Sequence, residues 1–104
     1  VQGIGEALGE AVVYDAGDGQ LLTASFVDYA VPRAKDVPAI AVADAGVPSP
    51  ANPLGAKGVG EAGTTGAPAA LANAVVDALR SAGAGPLDMP FSPARVWAAL
   101  EGDR

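Results

Sequence analysis

The chain has 104 residues, 12 acidic and 6 basic side chains, a net charge of −6, and neither His nor Cys. That length holds one domain, and the missing residue types exclude disulfides, iron–sulfur clusters, a thiol nucleophile and an imidazole-based zinc site. The acidic balance argues against nucleic acid and anionic membranes as partners, and no apolar run approaches the roughly 20 residues that span a bilayer.

The hydrophobic half of the chain is weak core material. Ala accounts for 24 residues, and Leu, Ile, Val and Phe together supply only another 24. Gly and Pro add 14 and 9. A domain this small buries only about two-thirds of its unfolded surface even when well packed. The chain also opens Val1-Gln2-Gly3 without an initiator Met. These features predict a piece of a larger protein that is not an autonomous fold. The N-terminus lacks the basic-then-apolar layout of a signal peptide, and the lack of Cys suits the cytosol, so a cytoplasmic location is expected.

In chain order, Ile4, Leu8 and Val12 recur every four residues and predict a short amphipathic helix, either opened by Gly3 and Gly5 or continuing from residues before Val1. Ala11–Tyr14 turns β-like, and Asp15-Ala16-Gly17-Asp18-Gly19 reads as a hairpin loop, with Leu21–Phe26 the returning strand. Val31-Pro32 breaks that strand, residues up to Pro38 form a surface connection, and Ala39–Val42 is a further short strand. A second helix is expected with Pro68 in its first turn, Thr64 or Thr65 as cap, and an apolar stripe of Leu71, Val75, Ala78 and Leu79. Gly83 closes it. After a linker from Pro86 to Pro90, Ser92-Pro93 starts a last short helix carrying Val96, Trp97 and Leu100. The fold class is α+β.

Between Pro48 and Gly66 lies a long stretch rich in Gly and Pro, of a kind that compact domains seldom carry without a function. A glycine-rich loop before a helix N-terminus presents backbone N–H groups and a favourable dipole to an anion. No Lys-Ser or Lys-Thr follows its last glycine, so the P-loop spacing fails. Gly58-Val59-Gly60-Glu61-Ala62-Gly63 fits the dinucleotide fingerprint by pattern, yet no clear strand leads into it and no βαβ unit surrounds it. Glu61 reads either as a solvated acid favoured by the helix dipole or as a carboxylate held beside a bulky ligand as a general base. Lys57 is a solvated cation or an anion contact. Gln2, flanked by Gly, is a helix-start residue or a neutral hydrogen-bonding group for a ligand.

The run Asn52-Pro53-Leu54-Gly55-Ala56-Lys57-Gly58-Val59-Gly60-Glu61-Ala62-Gly63-Thr64 closely resembles the end of the molybdenum-binding large subunit of the xanthine dehydrogenase family, most of all its aerobic carbon-monoxide-dehydrogenase type. Val1-Gln2-Gly3-Ile4-Gly5 resembles the family's V/A-Q-G-x-G helix start, and Asp28-Tyr29-Ala30-Val31-Pro32 its D-Y-x-x-P block. Residues 67–79 resemble the helix after the glutamate loop, and Met89-Pro90 through Val96-Trp97 the C-terminal end. The resemblance covers essentially all of residues 1–104 and implies the C-terminal part of one molybdopterin-binding domain.

It also implies a function. A molybdenum ion on a pterin dithiolene, often extended as a cytosine dinucleotide, hydroxylates a carbon centre or oxidises CO. The catalytic glutamate of the hydroxylases, their general base, falls on Glu61. The cofactor-lining backbone falls on Lys57, Gly58, Val59 and Gly60, and the glutamine that bonds the pterin side falls on Gln2, with Gly3 beside it. No side chain here is expected to ligate the metal. Implied partners are the remainder of the large subunit, iron–sulfur and FAD subunits, and a small-molecule substrate. The family's large subunit is several times longer than this chain, and its substrate-selecting loop lies upstream. In CO oxidisers that loop carries a cysteine, which this chain lacks. The alternatives are a non-catalytic acidic interaction module or a truncated remnant that keeps the family scaffold.

Overall fold

Two glycines decide how the chain packs. In the computed structural model, which describes residues 1–102, the first helix, α1, spans Gln2–Leu8 and buries Gly3, Gly5 and Ala7. Gly3 and Gly5 therefore lie inside this helix and do not merely open it. A Cβ on Gly3 would sit 2.7 Å from Ala67 Cβ and 3.0 Å from Pro68 Cδ. A Cβ on Gly5 would collide with Glu10 Oε1 and the Pro32 ring. Each glycine costs the helix about 1 kcal/mol in propensity relative to Ala. The missing side chains let α1 lie directly against its neighbours. The helix stops at Gly9, so Val12 falls beyond it and is 60% exposed, outside the stripe its spacing suggested.

The hairpin is present but short. Tyr14 and Leu21 form one antiparallel bridge, supported by Leu22 N–H to Val13 O at 2.8 Å and Asp15 N–H to Gln20 O at 2.8 Å. Asp15 Oδ1 accepts from the N–H groups of Gly17 (2.7 Å) and Asp18 (3.2 Å), and Gly19 takes φ 74°. Those N–H groups hold the Asp15 carboxyl below its ordinary value. The returning strand does not run on to Phe26, because Ser25 captures the backbone. Its carbonyl accepts from Asp28 and Tyr29 N–H, and its hydroxyl accepts from Val27 N–H and donates to Asp28 Oδ2. Tyr29 then donates its hydroxyl to Glu10 Oε2 at 2.6 Å, tying this block to the end of α1. A 3-10 turn follows at Ala34–Asp36.

Ala39–Val42 forms no strand: nothing among the described residues pairs with it, and Ile40 and Val42 are exposed. A short apolar run of this kind can form a strand, but a strand needs a neighbour to satisfy its ladder.

The second helix, α2, spans Ala62–Ser81. It begins earlier than the proline suggested, with Pro68 inside it. Thr64 and Thr65 do not cap it: their hydroxyls donate to Glu61 O at 2.9 and 3.0 Å. Leu71, Val75 and Leu79 face inward with Ala72 and Val76, whereas Ala78 is exposed. The end is a Schellman motif, with Ala84 N–H on Leu79 O, Gly83 N–H on Arg80 O, and Gly83 at φ 82°.

The chain then returns to α1, where Phe91 N–H donates to Ala7 O at 2.7 Å. The last helix, α3, spans Pro93–Glu101 and has the expected start, with Ser92 Oγ accepting from Arg95 N–H. The buried apolar residues are few: Ala7 on α1, Leu79 on α2 and Phe91 in this returning segment. The rest is open. The radius of gyration is 17.9 Å, against about 13 Å for a compact chain of this length. The accessible surface is 8021 Å², against roughly 5,300 Å² for a compact monomer of this mass.

Candidate functional site

The glycine-rich stretch is organised by one amide. Asn52 Oδ1 accepts from Leu54 N–H (3.1 Å) and Ala56 N–H (3.0 Å), while Asn52 Nδ2 donates to Ala56 O (2.9 Å). Gly55 N–H reaches Asn52 O, and Ser49 N–H reaches Gly55 O at 2.9 Å. Gly55 adopts φ 64°, and a Cβ there would come within 2.8 Å of Pro48 Cβ. Only glycine combines that conformation with that approach.

Beyond Ala56 the N–H donation stops. The N–H groups of Lys57, Gly58, Val59, Gly60 and Glu61 have no hydrogen-bond partner among the described residues, and these residues are exposed. The space where Gly58 and Gly60 would carry a Cβ is open within this chain. An open groove of about 520 Å³ runs along the strip, between the Gly46–Pro48 segment and Ala62 at the start of α2.

The strip ends on the N-terminus of a 20-residue helix, which favours negative charge. Glu61 is its N-cap, and its carbonyl is fixed by the N–H groups and hydroxyls of Thr64 and Thr65. The Glu61 carboxylate itself is exposed, with no partner among the described residues. A fixed backbone thus presents a free acid.

Gln2 lies at the start of α1, exposed and likewise without a side-chain partner among the described residues. Because Gly3 rests on Ala67 and Pro68, the α1 start faces α2 about 9 Å along its axis from Glu61, at 1.5 Å per residue. The fold therefore carries Gln2 and the 57–61 strip towards the same end of α2. Gly3 is turned into the helix contact. Asn52, Thr64 and Thr65 hold this site, and the sequence reading assigned none of them that role. The Asn-Pro-Leu-Gly order is an Asx-turn signal that could have identified the first.

A family model for the molybdopterin cofactor-binding domain matches residues 1–38. The gamma subunit of the 6-hydroxypseudooxynicotine dehydrogenase complex of Paenarthrobacter nicotinovorans is 41% identical over 103 residues, 98% of this chain and 13% of that protein. The carbon monoxide dehydrogenase large chain of Hydrogenophaga pseudoflava is 38% identical over 100 residues, 96% of this chain and 12% of that one. The crystal structure of quinoline 2-oxidoreductase from Pseudomonas putida 86 superposes with a TM-score of 0.85 at 40% identity, covering 96% of this chain and 13% of that one. The fold is thus a partial piece of a molybdenum-cofactor-binding domain. The chain belongs to the xanthine dehydrogenase family and corresponds to a stretch of its molybdopterin-binding large subunit. It spans about an eighth of the length of the relatives it matches.

The residues present suit such a group. Unpartnered N–H donors beside a lysine ammonium and a helix N-terminus complement the oxygens of an anionic pterin cofactor, and the bare glycines leave room for it.

Proposed function

We propose that this chain is the C-terminal part, residues 1–104, of one molybdopterin-binding domain in a molybdenum hydroxylase or carbon-monoxide-dehydrogenase-like large subunit, and that it supplies the cofactor-lining loop and the general base. The backbone of Lys57–Gly60 holds the cofactor through its free N–H groups, and Gln2, next to Gly3, offers its amide to the pterin side. The cofactor, in its cytosine dinucleotide form, supplies the redox chemistry and oxygen transfer. Glu61 accepts a proton at its carboxylate. The four contacts on its carbonyl keep that carboxylate at one place on the loop. The rest of the large subunit closes the site against water, which strengthens the interactions of a carboxylate placed there. Iron–sulfur and FAD subunits carry electrons away, the substrate is a small molecule, and the assembly is cytoplasmic. Among the described residues, no helix is long and apolar enough to cross a membrane.

The observation that carries this reading is the run of unpartnered N–H groups ending on an anchored, exposed Glu61 at the start of α2. In the complete enzyme, Glu61→Gln should leave bound molybdenum unchanged while turnover falls about 10²–10⁴-fold, the range for loss of a general base. Near-normal turnover in that variant removes the base assignment.

A further inference from the structure

We infer that Asn52 is a positioning residue for the cofactor-facing strip, an inference that rests on the reading of residues 57–60 given above. One side chain binds both backbone polar groups of Ala56, the residue immediately before the strip: its Oδ1 takes the N–H at 3.0 Å and its Nδ2 gives to the carbonyl at 2.9 Å. The same Oδ1 takes Leu54 N–H at 3.1 Å. Asn52's own carbonyl holds Gly55, whose carbonyl in turn holds Ser49.

The segment from Ser49 to Ala56 is therefore a closed knot of hydrogen bonds. Apolar packing does little to keep it so, since Leu54 at its centre is 89% exposed. The transition is abrupt. Both polar groups of Ala56 are bound, and from Lys57 to Glu61 every N–H is free among the described residues. Asn52 thus fixes where the free strip begins and in which direction it leaves, while α2 fixes where it ends.

The chemistry requires an amide of this length. Asp at 52 keeps the two accepted bonds and loses the donated one, and Ala loses all three. A strip of unbound N–H groups recognises an anion only if it is held in place beforehand, because otherwise its ordering opposes binding.

The test uses the complete large-subunit enzyme, with bound molybdenum measured per polypeptide before any assay. Asn52→Ala should lower molybdenum retention about tenfold, the lower end of what removing a supporting shell costs. Asn52→Asp should retain clearly more than Asn52→Ala. Full molybdenum with unchanged kcat and KM in Asn52→Ala would overturn the inference, and so would equal loss in the two variants. Should Asn52→Ala fail to fold, Gly55→Ala strains the same turn from the backbone, and wild-type molybdenum retention there also overturns it. Failure here is separable from failure of the functional reading. A Gly60→Val enzyme that keeps full molybdenum removes the reading of the strip itself, whereas a metal-depleted Gly60→Val enzyme beside a fully loaded Asn52→Ala enzyme removes Asn52 alone.

Discussion

Around α1 and α2 the chain brings backbones close enough that Gly3 and Gly5 have no room for a Cβ, while between residues 37 and 60 it brings together little beyond the Asn52 turn. The first region contains the buried side chains Ala7 and Leu79. The second leaves Val42, Val47, Leu54 and Val59 from 71% to 90% exposed. Both are apolar, so hydrophobicity alone does not separate them. What separates them is whether this chain supplies the partner. The packed region explains its own residues, and on the function proposed above the open one is covered by the rest of a longer polypeptide and by a cofactor.

The largest effect that would break this contrast is the loss of turnover expected for Glu61→Gln in the complete enzyme. Next is stability. Leu79→Ala should cost about 2–5 kcal/mol, as for a buried leucine, read as lost helical circular dichroism. Val42→Ala should stay within about 0.5 kcal/mol in the isolated chain. In the complete subunit the same Val42→Ala change should cost about 1 kcal/mol or more, because its apolar face is covered there. Equal costs in both settings would show that nothing covers it. The isolated chain itself should melt broadly, since so few side chains are buried, and a sharp two-state transition would contradict that.

Smaller effects come from the surface bonds. Tyr29→Phe removes the hydroxyl donated to Glu10 and should speed amide exchange near residues 29–31, by less than the effect of Leu79→Ala. The tyrosine's pKa is raised, first by that hydrogen bond. Its contribution is therefore whole below the ordinary value of 10.0 and is lost as pH climbs through the higher folded one. Asp15 and Asp36 behave oppositely. Backbone N–H groups of the hairpin loop lower Asp15, and the Lys35 ammonium, then Arg33 N–H, lowers Asp36. Both contributions are present above 3.8 and disappear as pH falls through the depressed values. An NMR pH titration of the two carboxyl groups should place both midpoints below that value.

Much of this was legible in local chemistry. The hairpin loop, the Ser92-Pro93 helix start and the Gly83 stop each need only neighbouring residues, and each stands where its motif lies. Errors arose where a distant partner decides. Ala39–Val42 is a short apolar run without a sheet to join among the described residues. Pro68 suggested a helix start at its own first turn, but α2 begins six residues before it and carries the proline in its second turn, where one intrahelical N–H bond is forgone. Gly3 and Gly5 look like helix openers until α2 and Pro32 are placed against them. At the site, Glu61 and the glycines were visible as a pattern. Asn52 was not singled out, because its role lies in which backbone atoms it closes on.

The most direct test of the account is the mass and metal content of the native assembly that carries this sequence. The account predicts molybdenum bound together with a polypeptide several times longer than 104 residues. A lone, cooperatively folding chain of 10.1 kDa without molybdenum would contradict it.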